Sequence, residues 1–108
     1  MKISINSFQD FLDITKNHKP SLEKPLMCLS FHSLCSLGMG VAWGYLELLQ
    51  KEYPDWVPYF SVDCGDCPGY ALSALRHGIK NIFYKGPHWD RLQQAALSYD
   101  ASILSMDF

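Results

Sequence analysis

The most constraining feature of this sequence is the change of hydrophobic period along it. Short apolar runs of strand-like composition alternate with segments whose apolar residues recur at helical spacing. Lys2 to Ile5 alternates at period two through Ile3 and Ile5. Phe8, Phe11, Leu12 and Thr15 then follow a helical pattern. Ser7 precedes them and Asp10 comes three residues later, a capping box with Asp in place of Glu. Pro20 and Pro25 punctuate the loop beyond. Leu26 to Phe31 is a continuous apolar run that suits a strand buried on both faces. His32 to Gly40 reads as a loop, leading into a central helix that Pro54-Asp55 closes. Gly40 and Gly44, one turn apart, would let a neighbouring element approach that helix closely.

Trp56 to Val62, aromatic and β-branched, predicts a strand. Ala71, Leu72, Ala74 and Leu75 mark a helix that Gly78 stops. Asn81 to Tyr84 is a strand, Trp89 to Ser98 a helix, and Ala101 to Leu104 a last short strand. Such alternation calls for right-handed crossovers and a parallel sheet. The expected fold is one α/β domain over residues 1–108: three layers, with four or five mostly parallel strands and helices on both faces. In outline it resembles the small flavodoxin-like and Rossmann-like folds.

Composition narrows the function classes. With 48% hydrophobic and 19% charged residues the chain is an ordinary globular sequence, not a disordered one. Its formal charge of −2 gives no electrostatic case for nucleic acid or an anionic membrane as partner. The apolar stretch from Leu34 to Leu46 falls short of the roughly 18–20 residues that span a bilayer. The N-terminus MKISINSFQD has no sustained apolar region, so no secretory signal is expected. A cytoplasmic location follows, in which the four cysteines are thiols or metal ligands before they are disulfides.

In an open parallel sheet, ligands bind beyond the carboxyl ends of the strands. His32, Ser33 and Cys35 follow the second strand there, Asp63, Cys64, Asp66 and Cys67 the third, and Lys85, Gly86 and His88 the fourth. Polar βα loops are also what such a fold carries when it binds nothing.

Cys64-Gly65-Asp66-Cys67 is a C-x-x-C where a strand meets a helix, and Pro68 suits that helix's first turn. A positive helix end favours a thiolate, and two thiols one turn apart can attack and then resolve a disulfide. On this reading Cys64 is the exposed nucleophile and Cys67 the resolving thiol. The segment resembles the thioredoxin-like active site over about fifteen residues. That family then needs a cis-proline and an antiparallel hairpin; here strand, helix and strand follow, and Pro87 stands before a helix. Asp63 and Asp66 oppose a thiolate, since neighbouring carboxylates repel a second negative charge. They would suit a cation instead, and Cys35, Cys64 and Cys67 with His32 or Asp63 could ligate zinc or another soft metal. Against both stands packing of the thiols as small apolar groups, the role assigned to Cys28 within its strand.

Ser33 to Gly40, with Gly38 and Gly40 before a helix, resembles the glycine turn of short-chain dehydrogenases, where backbone N–H groups reach a pyrophosphate. Asp63 ends the next strand, where an acid would bind a ribose. Leu34 replaces the first glycine, and no tyrosine is followed four residues on by lysine, so the catalytic pair of that family is absent. Among the histidines, His18 lies in a charged loop, His77 suits a helix C-terminus, and His88 could face the same edge as the cysteines. Trp43, Tyr45, Trp56, Tyr59 and Phe60 read as core, or as a homodimer surface where an element stays exposed.

The working reading is therefore a thiol site, for dithiol redox chemistry or soft-metal binding, with Asp63, Asp66, Gly38, Gly40 and His88 as ligand-facing residues. The alternative is a domain without enzymatic activity that binds a nucleotide, a phosphate or another protein, its cysteines incidental.

Overall fold

The structure is a computed structural model that describes residues 2–17 and 26–105. The loop with Pro20 and Pro25, His18, and the side chain of His32 lie outside the described residues. The α/β class expected from the alternation is what forms. Five four-residue strands, β1 (Lys2–Ile5), β2 (Leu26–Leu29), β3 (Phe60–Asp63), β4 (Asn81–Tyr84) and β5 (Ser102–Ser105), make one parallel sheet. Between them run α1 (Phe8–Asn17), α2 (Phe31–Leu37), α3 (Met39–Glu52), α4 (Pro68–Arg76) and α5 (Trp89–Ser98).

Local chemistry explains where α1 starts. The Asp10 backbone N–H donates to Ser7 Oγ at 3.1 Å, and Asp10 Oδ2 accepts the Asn6 N–H at 3.0 Å. That is the expected reciprocal cap, with the carboxylate reaching one residue further back. β2 is buried on both faces as read, through Met27, Cys28 and Leu29.

Three local readings are corrected. His32 to Leu37 is not a loop but part of α2, whose N-cap Ser30 accepts the Ser33 N–H at 3.2 Å. A seven-residue helix is too short for periodicity to reveal, and its cap was the readable signal. Trp56 to Tyr59 belongs to a 3-10 segment, Pro54–Tyr59, and the strand begins only at Phe60. Two prolines in six residues favour a tight turn over a ladder, and Trp56 is buried from there. A β-carbon at Gly40 or Gly44 would meet nothing within 4 Å, so neither glycine admits a close neighbour.

The strand order is β1-β2-β3-β4-β5, with every neighbour the next in sequence. Right-handed crossovers that all step the same way lay their helices on the same side of a sheet. The packing agrees: Phe11 of α1 lies 4.8 Å from Tyr45 of α3 between ring centroids, Trp43 of α3 stacks on His77 after α4, and α4 packs on α5. One continuous helix layer thus replaces the two-sided arrangement that alternation suggested. Ile5, Met27, Leu29, Phe60, Val62, Ile82, Tyr84 and Ile103 join the core beneath those helices. Cys28, Ser61 and Phe83 alternate with them and are buried, outside that apolar cluster. No helix among the described residues is long and apolar enough to cross a membrane.

Candidate functional site at the carboxyl edge of the sheet

Parallel pairing carries the ends of β1 to β4 to one edge. After β1 and β2, the Ser30 hydroxyl donates to Asn6 Oδ1 at 2.7 Å, and the Ser30 N–H donates to the Ile5 carbonyl at 3.2 Å. After β3 the chain makes a compact turn. The Cys64 N–H continues the ladder to Phe83 O at 2.9 Å, and the Asp63 carboxylate accepts the Gly65 N–H at 2.9 Å. The Cys67 N–H then donates to Cys64 O at 3.0 Å and closes a four-residue turn.

Gly65 has φ +56°, a conformation that favours glycine, and the Phe31 ring lies against it. Its carbonyl accepts the Lys85 N–H at 2.8 Å, which joins this turn to the loop after β4. In that loop the Tyr84 hydroxyl, fully buried, donates to the Pro87 carbonyl. Gly86 lies so near the Tyr84 hydroxyl and the Asp66 carbonyl that any side chain there would collide with both.

The cysteines occupy distinct environments. Cys64 is completely buried and belongs to the core cluster. Burial pushes its thiol far above the ordinary cysteine range, and the charges of Asp63, Cys28 and Cys67 push the same way. Cys67 is partly exposed at the N-cap of α4, and its side chain makes no capping hydrogen bond. The expected exposure is therefore reversed: Cys67 is the thiol that solvent reaches and Cys64 the one withheld. No disulfide joins them. Cys28 is buried on β2 as expected, with Sγ 3.7 Å from Leu29 O, and Cys35 is exposed on α2.

The remaining candidates are spread around this edge. Asp63 is partly buried and engaged with Gly65, while Asp66 is exposed beside Gly86. His88 is exposed at the N-cap of α5 with φ +64°, and its carbonyl accepts the Leu92 N–H at 3.1 Å. Gly38 and Gly40 do not form a strand-to-helix turn, because α2 intervenes. Gly38, at φ +83°, instead ends α2 with its N–H on Leu34 O and begins α3. Among the described residues no three His, Cys, Asp or Glu side chains converge as metal ligands, so Cys35, Cys64 and Cys67 are not gathered into one shell.

Sequence reasoning missed Tyr84 and Phe31. Burial on the helix side also raises the Tyr84 phenol, with Asp66, Cys67 and Cys64 adding to it. The readable signal was a tyrosine at the end of a buried strand, one residue before Gly86-Pro87, a place where a hydroxyl meets a turn carbonyl. Comparison with protein-family models, with curated proteins and with solved structures finds no match.

Proposed function

We propose that the carboxyl edge is a dithiol redox site in which Cys67 attacks and Cys64 resolves, the reverse of the order in which the motif would be read. The observation that carries this reading is the turn itself. The Cys67 N–H to Cys64 O bond places the two α-carbons within about 7 Å, inside the span a disulfide can bridge. One thiol meets solvent at a helix N-terminus while the other waits behind it.

The chemistry is thiol exchange with a disulfide substrate. The Cys67 thiolate attacks one sulfur of the substrate and expels a thiolate, which takes up a proton. Cys64 Sγ then attacks Cys67 Sγ, the bond from Cys67 to the substrate breaks, and the Cys64 proton passes to the second substrate sulfur, which leaves as a thiol. One disulfide becomes two thiols and the pair is oxidised by two electrons. The raised pKa of Cys64 holds the second step back until base is available.

Burial of Cys64 favours one competing reading, a binding domain whose core includes a protonated thiol. Equilibration with oxidised and reduced glutathione, followed by peptide mass mapping, separates the two. The redox reading expects a Cys64–Cys67 disulfide, and in C64S a mixed disulfide trapped on Cys67. Unmodified Cys67 under conditions that glutathionylate the exposed Cys35 would overturn it and leave the binding domain.

A further inference from the structure

We infer that the loop between β4 and α5 is the element that reports the oxidation state of the Cys64–Cys67 pair, an inference that rests on the dithiol reading above. Both residues between the two cysteines touch this loop. The Gly65 carbonyl accepts the Lys85 N–H at 2.8 Å, and the Asp66 carbonyl lies where a β-carbon of Gly86 would come within 2.7 Å of it. The Tyr84 hydroxyl packs over the same glycine and is itself fixed to Pro87 O.

On the Phe31 side the turn has no room. A β-carbon on Gly65 would lie 2.7 Å from that ring, and Phe31 is held in α2 directly after β2. Joining the sulfurs fixes the two cysteine β-carbons about 3.8 Å apart, and the adjustment this asks of the turn falls on Gly65 and Asp66, the residues between them. With the Phe31 side closed, that change is delivered to the Gly65 and Asp66 carbonyls and thence to Lys85 and Gly86. Lys85 and His88 are exposed, so a partner docking at this edge meets one loop surface over the dithiol and another over the disulfide.

Amide hydrogen exchange by NMR on the whole chain tests this, comparing protein reduced by dithiothreitol with protein oxidised by oxidised glutathione. Mass mapping of the same samples checks the disulfide. Oxidation should speed exchange of the Lys85 amide about tenfold or more as its bond to Gly65 loosens. The Ser102 amide, bonded to Lys80 O at the opposite edge, should keep its rate. C64S treated with the same oxidant should show no acceleration at Lys85. If the Cys64–Cys67 disulfide forms while Lys85 exchange stays unchanged, the coupling is wrong and the dithiol site stands. If no disulfide forms, the site and the coupling fall together.

Discussion

The ring of Phe31 lies against the α-carbon of Gly65, near enough that a β-carbon there would sit 2.7 Å from it. The start of α2 and the turn after β3 are thereby locked across the carboxyl edge of the sheet. Gly65 also holds φ +56°, so its lack of a side chain is required twice.

Replacing Gly65 with alanine should cost about 2–4 kcal/mol, combining left-handed strain with overpacking against the ring. Urea denaturation of the variant measures the loss. Pairing G65A with F31A should recover part of it, because the clash then has no partner. A purely additive double-mutant cycle would show that the ring is not what excludes the β-carbon.

Stability should fall as pH rises above about 8.5, the ordinary cysteine range. The folded protein holds the Cys64 proton because burial raises its pKa, whereas the unfolded chain releases it. The native state then binds more protons than the unfolded one, so unfolding becomes easier with increasing pH, by at most about 1.4 kcal/mol per unit from this group. Below that range the folded and unfolded thiols are both protonated and the contribution is constant. Tyr84 and Tyr45, both raised, extend the decline at higher pH. Denaturation curves from pH 7 to 10 should show the slope, and C64S should flatten its first part.

Alkylation should sort the thiols by burial. Native protein treated briefly with iodoacetamide should label Cys35 and Cys67, while Cys28 and Cys64 react only after unfolding. Peptide mapping reads the four sites separately. Labelling of Cys64 as fast as Cys67 in the native state would contradict the roles given to them.

The helix layer offers an independent check. The Trp43 indole and the His77 imidazole stack with centroids 3.7 Å apart and planes 14° from parallel, and His77 Nδ1 lies 2.9 Å from Ser73 O. A W43A/H77A double-mutant cycle should return a coupling of about 0.5–1.5 kcal/mol. A coupling near zero would mean that the stack orders two side chains without joining α3 to α4.

Much of the fold was legible because its signals are local. The Ser7 and Asp10 cap, the apolar run around Cys28 and the Gly78 stop each depend on residues a few positions apart. α2 was not legible, since seven residues carry too little periodicity, and the same error placed Gly38 and Gly40 at a strand end. The candidate site was legible as a place, through the C-x-x-C and the βα loops. Its roles were not. Which thiol is buried follows from the ladder bond that carries Cys64 on beside Phe83, a residue remote in sequence, while Cys67 stands at the start of α4.

The sequence by itself determined an α/β chain, strands of the right kind in nearly the right places, and thiols gathered at one junction. Hydrophobic period and capping chemistry act over one or two turns of chain, so they can be read there. Only the tertiary structure decided that the strands pair in sequential order, that the helices form a single layer, and that Cys67 rather than Cys64 meets solvent. Strand order and thiol exposure are set by which distant segments pack together, and that choice minimises exposed apolar area over the whole chain rather than in any one segment.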